Sequence, residues 1–94
     1  MEIINCTTFK KRLIGLMFKK QTIDFGLCFP KCNSIHTFFM FQSIDVVMTD
    51  INHNIKYIYS NFKPFKIILP KKGVYYTYEL PVLSSKGLKI NEKF

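Results

Sequence analysis

Tryptophan is absent from this chain, and arginine occurs only once, as Arg12. Acidic residues are also few, because six of them stand against fourteen basic residues and leave a formal net charge of +8. Such a field attracts phosphate polymers, anionic lipid and acidic partners. The lysines are spread along the whole chain, however, whereas dedicated nucleic-acid readers cluster their charge and use arginine forks. The charge pattern therefore favours solubility, with nucleic-acid binding as an alternative.

Long apolar runs are lacking as well. No stretch approaches the roughly 18 apolar residues that a membrane span requires, and the first residues, MEIIN, lack the basic and apolar regions of a secretory leader. There is no internal repeat, linker or low-complexity tract. Cys6, Cys28 and Cys32 make an odd number of cysteines. These features predict one cytoplasmic domain over residues 1–94 with free thiols.

Apolar and aromatic residues are abundant, at 48% and 16% of the chain, which indicates a globular protein rich in strands. Short apolar or alternating runs between turn-forming residues predict strands. The polar residues 50–54 predict a hairpin turn between two of these runs. The predicted strands are residues 2–6, 25–29, 44–49, 55–61, 74–80 and 88–94, with a further apolar run at 37–41.

Two short helices are predicted beside these strands. Phe9, Leu13, Leu16 and Met17 recur at helical spacing, and the basic residues between them fall off this stripe. Residues 81–87 are compatible with one helical turn that ends at Gly87. The expected fold is mainly β (α+β), a compact antiparallel small barrel or half-barrel with one or two short helices.

The residues best suited to chemistry lie close together in the sequence. Cys32, His36 and Asp45 place a thiol, an imidazole and a carboxylate beside an apolar run. Asp45 falls inside a strand expected to be central, where a buried carboxylate requires partners. Arg12 is the preferred partner because a guanidinium binds a carboxylate with two parallel hydrogen bonds, and His36 or a backbone N–H are alternatives. A structural role for Asp45 is favoured over catalysis.

Two reactive arrangements remain as alternatives. Cys28, Cys32 and His36, with Cys6 or Asp45 as a fourth ligand, have donors suited to zinc if a loop gathers them. Cys32 could instead act as a nucleophile with His36 as its base, oriented by Asp45 or Glu79. The competing interpretation is that the cysteines are ordinary core and turn residues. We expect no metal and no other cofactor.

Several ordered motifs resemble a known family. Residues 12–17 read RLIGLM, residues 32–40 read CNSIHTFFM, residues 44–45 read ID, residues 63–66 read KPFK and residues 78–81 read YELP. In this order and spacing they resemble the family called domain of unknown function 192 (DUF 192), over nearly the whole chain. Phe65 stands where that family typically has tryptophan, and Asn91-Glu92 where it has Gly-Asp. The resemblance implies a small β-rich domain with a helix near its start and no established reaction.

These observations favour a binding module over an enzyme. The expected site is a polar cleft for a small ligand or a peptide, lined by Arg12, Cys32, His36, Asp45 and Glu79. A nucleic-acid-binding basic β domain and a zinc- or thiol-dependent enzyme are the alternatives. For the former, lysines beside aromatic side chains offer a stacking surface; these residues are Lys56, Lys63, Lys66, Lys71, Lys72, Tyr57, Tyr59, Phe62 and Phe65.

Overall fold

The computed structural model of the chain describes residues 1–7 and 23–94. These residues contain seven strands and no helix. In chain order the strands are β1 (Ile3–Asn5), β2 (Gly26–Pro30), β3 (Ile35–His36), β4 (Ile44–Thr49), β5 (Ile55–Phe62), β6 (Ile67–Ile68) and β7 (Tyr76–Pro81). The predicted mainly β fold is confirmed. The helix expected from Phe9 to Met17 lies outside the described residues. No described helix is long and apolar enough to span a membrane.

Five strands form one sheet in the order β1-β2-β7-β4-β5, and β3 pairs with β6 in a separate two-stranded sheet. All pairings are antiparallel except that of β1 with β2, which is parallel. The larger sheet is not closed into a barrel, because β1 and β5 form its two edges. Of the two predicted forms, the half-barrel is therefore closer to the structure than the closed barrel.

The predicted hairpin between β4 and β5 is confirmed. Its turn is held by the Asp50 carboxylate, whose Oδ1 accepts hydrogen bonds from the backbone N–H groups of Asn52 and Asn54, each at 2.9 Å. His53 takes a left-handed backbone conformation in this turn, with φ 67°. An aspartate that accepts from N–H groups further along the chain is the usual means of closing such a turn.

The two elements predicted after β7 are wrong. Residues 82–87 form successive turns and not a helical turn, since Leu83 within the segment has a left-handed φ of 74°. The positive φ of Gly87, 87°, agrees with the expected role of this glycine as the terminating residue. Residues 88–94 do not form a strand: they make one isolated bridge, between Asn54 and Lys93. The Glu92 side chain instead accepts a hydrogen bond from Lys89 N at 3.0 Å, which folds this segment into turns.

The core lies on both faces of the larger sheet. Neighbouring residues of β4 point to opposite faces, so Val46 packs in one cluster and Val47 in the other. We call the side of Val46 the first face and the side of Val47 the second face. The buried members of the first cluster are Cys6, Ile23, Leu27, Phe29, Met40, Ile44, Val46, Met48 and Ile68. Those of the second cluster are Cys28, Val47, Ile55, Tyr78 and Leu80.

Candidate functional site

Asp45 is a structural carboxylate on the second face. It is 1% exposed, and its Oδ1 accepts a hydrogen bond from Asn61 N at 2.9 Å. Its Oδ2 accepts from Ser85 N at 2.8 Å and from Ser85 Oγ at 2.5 Å. Backbone N–H groups, the alternative to the preferred Arg12, are thus its partners, and Arg12 itself lies outside the described residues. Asp45 holds β5 and the turns after β7 against β4.

A bulge in β5 explains why Asp45 is needed there. Ile44 pairs with Phe62 and Val46 with Tyr59, so β5 carries one extra residue in this interval. Asn61, in the bulge, has a left-handed φ of 54°, and its N–H donates the hydrogen bond that Asp45 Oδ1 accepts. Burial alone would raise the pKa of Asp45, but the hydrogen bonds from Asn61 and Ser85 lower it below its ordinary value.

Glu79 lies on the opposite face of the sheet from Asp45. Its register partners are Leu27 on β2 and Val46 on β4, both members of the first cluster. Its side chain is 5% exposed, and its Oε1 has no hydrogen-bond partner among the residues that the structure describes. Burial raises the pKa of Glu79 to about 8. At neutral pH this carboxyl group is therefore mostly protonated.

Cys32 packs against the first cluster, and its thiol makes a local hydrogen bond. Its Sγ donates to Ser34 O at 3.0 Å, and its carbonyl accepts from Thr77 Oγ1 at 2.8 Å. The His36 Nδ1 accepts from Phe38 N at 3.3 Å, and not from the thiol. The structure therefore does not join Cys32 and His36 as a nucleophile and its base.

The expected zinc ligands are also separated. Cys28 belongs to the second cluster, whereas Cys32 packs against the first, on the other side of the sheet. Within residues 1–7 and 23–94 no group of three or more His, Cys, Asp or Glu residues could hold a metal ion. In the part of the chain that is described, the expected zinc ligands are therefore not brought together.

Thr37 organises a different site, which the sequence analysis did not single out. Its side chain is completely buried, and its Oγ1 donates to Lys63 O at 2.7 Å and accepts from Lys66 N at 2.8 Å. Its backbone N–H donates to Lys66 O at 2.8 Å, and its carbonyl accepts from Phe65 N at 2.9 Å. Every polar group of Thr37 thus binds the segment that joins β5 to β6.

Two phenylalanines flank this hydrogen-bonded joint. Phe39 and Phe65 both have left-handed backbones, with φ 63° and 59°. For a bulky residue this conformation costs about 1–2 kcal/mol. Their rings meet edge to face with centroids 6.2 Å apart, yet they remain 51% and 60% exposed. The fold therefore holds two aromatic residues with strained backbones and leaves their side chains in contact with solvent.

The exposed apolar surface continues along β6. Ile67 is 58% exposed and Leu69 is 65% exposed, while Ile68 between them is 4% exposed. Alternate residues of an extended segment share a face, so Ile67 and Leu69 point outward together. We call Phe39, Phe65, Ile67 and Leu69 the apolar surface. Beside it, the His36 ring stacks on Phe38, with centroids 5.2 Å apart.

The apolar surface is built from a part of the chain without acidic residues. Neither residues 25–44 nor residues 51–78 contain aspartate or glutamate. Lys63 and Lys66, whose carbonyls accept from Thr37, are exposed. The surface therefore combines apolar side chains with positive charge.

A second group of aromatic side chains lies on the first face of β5. Tyr57 and Tyr59 stack with centroids 6.4 Å apart, and Lys71 Nζ lies 5.5 Å from the Tyr57 centroid. Tyr59 also contacts Phe62 edge to face at 5.7 Å. These contacts bring together part of the aromatic and lysine set that the sequence suggested for nucleic-acid binding.

Comparison with known proteins gives one consistent result. The family model DUF192, described as an uncharacterized ACR, matches residues 1–93. The UPF0127 protein PH1112 of Pyrococcus horikoshii is 38% identical over 92 residues, which cover 94% of this chain and 76% of that protein. A UPF0127 protein of Thermococcus sibiricus is 37% identical over 81 residues, and there the match covers about half (51%) of the relative's length.

Two solved structures share the fold. A protein of unknown function from Novosphingobium aromaticivorans has a TM-score of 0.81 at 20% identity, covering 97% of this chain and 71% of that one. A putative transcription regulator from Sinorhizobium meliloti has a TM-score of 0.83 at 20% identity, covering 97% and 78%. At this identity the likeness concerns the fold alone.

Proposed function

This chain belongs to the DUF192 family of uncharacterised proteins, and we propose that it is a binding module that docks an acidic segment of a partner protein on its apolar surface. The observation that carries the proposal is the Thr37 joint, which keeps Phe39 and Phe65 strained and exposed. Residues with strained backbones persist only where the surrounding structure holds them in place, and such residues are concentrated at functional sites. Exposed apolar patches rimmed by polar groups are typical of interaction sites.

The charge of the surroundings selects the partner. A segment with acidic residues meets Lys63 and Lys66 at the rim, and no described acidic side chain belongs to the elements that build the surface. Complementary charge accelerates encounter and suppresses wrong partners. The apolar side chains of the partner provide most of the affinity, because burial of apolar area dominates association.

The cleft predicted from the sequence is a separate matter. Asp45 and Glu79 occupy opposite faces of the sheet, and Arg12 lies outside the described residues. His36 stands beside the apolar surface because it is the register partner of Ile67. Contact of a small ligand with Cys32, His36 or Glu79 stays a prediction, as does a cytoplasmic location.

A labelled peptide tests the proposal. The probe is a fluorescent heptapeptide in which glutamate alternates with valine, with blocked termini, and fluorescence anisotropy gives its Kd. We expect Ile67→Ser to weaken binding by about tenfold or more, equivalent to about 1.4 kcal/mol. The matched control is Ile51→Ser in the β4–β5 turn, because Ile51 is 60% exposed and Ile67 is 58% exposed.

Either of two results would overturn the proposal. One is equal binding of the peptide to the Ile67→Ser and Ile51→Ser variants. The other is equal binding by the wild-type protein of a peptide with lysine in place of glutamate, since the charge of the surface would then play no part.

Single-stranded nucleic acid is the second candidate ligand. It is supported by the Tyr57–Tyr59 stack and the position of Lys71 over Tyr57, since bases stack on such rings beside a positive charge. This function predicts that a deoxythymidine oligonucleotide binds with steep salt dependence. It also predicts that Tyr57→Ser weakens this binding while Ile67→Ser does not.

A further inference from the structure

We infer that the partner segment binds as an added antiparallel or parallel β-strand along the outer edge of β6. This inference rests on the docking function proposed above and specifies how the backbone of the partner is recognised. In strand addition, main-chain hydrogen bonds provide affinity and alternate side chains provide specificity. The hydrogen bonds, the exposure pattern and the charge around β6 each support it.

Within residues 1–7 and 23–94, the hydrogen-bond pattern leaves one edge of β6 without a paired strand. Thr37 N donates to Lys66 O, and Lys66 N donates to the Thr37 hydroxyl, so Lys66 faces the β3 side. The register then pairs His36 with Ile67 and Ile35 with Ile68.

Hydrogen-bonded and non-hydrogen-bonded pairs alternate in an antiparallel ladder. The backbone groups of Ile68 therefore also face β3, and those of Ile67 and Leu69 point to the opposite edge. Among the described strands β3 is the only partner of β6.

The side chains of the same residues suit an added strand. Ile67 and Leu69 stand on one face at the two-residue spacing of a strand, which is about 6.6–6.8 Å. Alternate apolar side chains of a neighbouring strand would lie directly beside them, and such cross-strand pairs stabilise a sheet. Pro70 follows Leu69 and has no N–H to donate. The available edge is therefore short, from Ile67 to Leu69.

The contrast with β5, an edge of the larger sheet, shows that the exposed edge of β6 is unusual. Natural edge strands are protected by charges, bulges or covering segments. β5 has a bulge at Asn61 and an exposed lysine, Lys56. Residues 91–92 cover the start of β5, since Ile55 N donates to Glu92 O and Asn91 N donates to Ile55 O, both at 2.8 Å. β6 and the residue after it instead present two exposed apolar side chains, Ile67 and Leu69.

Charge defines the sequence of the added strand. The residues of this strand that lie beside Ile67 and Leu69 are apolar and β-branched, and its other residues are acidic, to meet Lys63 and Lys66. The partner is therefore an extended segment of about five residues in which apolar and acidic residues alternate. A helix would satisfy the apolar contacts but leave the backbone of Ile67 and Leu69 without partners from the ligand.

Selective N-methylation of the probe peptide tests strand addition. Two versions of the valine–glutamate heptapeptide carry N-methyl groups on alternate amides, one version on the odd-numbered residues and the other on the even-numbered residues. Only one edge of a bound strand faces β6, so we expect one version to lose about tenfold or more in affinity and the other to bind almost as the unmodified peptide does. Amide NMR resonances of Ile67 and Leu69 should shift on binding.

The outcomes separate this inference from the function on which it rests. If the unmodified peptide binds and Ile67→Ser weakens it, but both methylated versions bind equally, docking stands and strand addition is overturned. If the unmodified peptide does not bind at millimolar concentration, the docking function itself fails. Binding of a deoxythymidine oligonucleotide in place of any peptide would overturn both in favour of nucleic-acid recognition.

Discussion

Asp45 and Glu79 lie on adjacent strands, one register position apart, with carboxyl groups on opposite faces of the same sheet. Asp45 pairs with Leu80, and Glu79 pairs with Val46. Both are buried, but only Asp45 accepts hydrogen bonds from Asn61 and Ser85, which lower its pKa despite burial. For Glu79 the cause of the shift is burial, which raises its pKa to about 8. The two acids therefore hold different charges near neutral pH.

Glu79 should make the protein less stable as pH rises. The pKa of Glu79 in the folded protein, about 8, exceeds the ordinary value of 4.5. The stabilisation that the protonated side chain contributes is therefore complete below pH 4.5 and is lost as pH rises to about 8. The slope approaches about 1.4 kcal/mol per pH unit. We expect Glu79→Gln to remove this decline in urea unfolding, whereas Glu92→Gln, at an exposed position, retains it. Parallel pH profiles for wild type and Glu79→Gln would refute the burial effect.

Asp45 should act in the opposite direction. Its folded pKa is below the ordinary value of 3.8, so its stabilisation is present above 3.8 and is lost as pH falls through the folded pKa. Asp45→Asn replaces an acceptor of three hydrogen bonds and should lower the free energy of unfolding at neutral pH by about 2–4 kcal/mol. Asp24→Asn, at an exposed position, is the control. A cost under about 0.5 kcal/mol for Asp45→Asn would contradict this role.

Thr37 should be necessary for the apolar surface through its hydroxyl group. Thr37→Val keeps the shape but leaves Lys63 O and Lys66 N without that partner, at a cost of about 1–3 kcal/mol. Thr37→Ser keeps the hydroxyl and should retain peptide binding, which Thr37→Val loses.

Thr49→Val is the matched control for the Thr37 variants. Thr49 is also fully buried, but its hydroxyl makes a single bond, to Asp50 O at 3.1 Å. Full peptide affinity of the Thr37→Val protein would show that the joint does not shape the surface.

The sequence was most informative where a strand is long and its partner is local. Residues 44–49 and 55–61 flank a polar turn, and the structure has β4 and β5 in that place. β3 and β6 were missed because each is two residues long, which is too short for a period to be visible. The last predicted strand, residues 88–94, is wrong because Asn91 within it adopts a left-handed φ of 72°, a conformation that asparagine tolerates but that no local pattern requires.

The candidate site was harder to predict, for reasons of register. Cys28 and Cys32 are close in sequence, but they pack on different faces, as Asp45 and Glu79 also do. The Thr37 joint spans 26 residues to Lys63 and 29 to Lys66, so no local pattern reveals it. The one available signal was a polar, β-branched residue, Thr37, at the start of the apolar run at 37–41. Nothing in the sequence shows that Phe39 and Phe65 have left-handed backbones.

The most direct test of the docking function is to measure stability and peptide affinity together for Phe65→Gly. Glycine tolerates φ 59° and relieves the strain, so the free energy of unfolding should rise by about 1 kcal/mol. Peptide affinity should fall by about tenfold or more because the ring is lost. Leu83→Gly, at φ 74° and 74% exposure, should gain similar stability with unchanged affinity. If Phe65→Gly binds the peptide as tightly as wild type does, Phe65 takes no part in docking and the proposed function is contradicted.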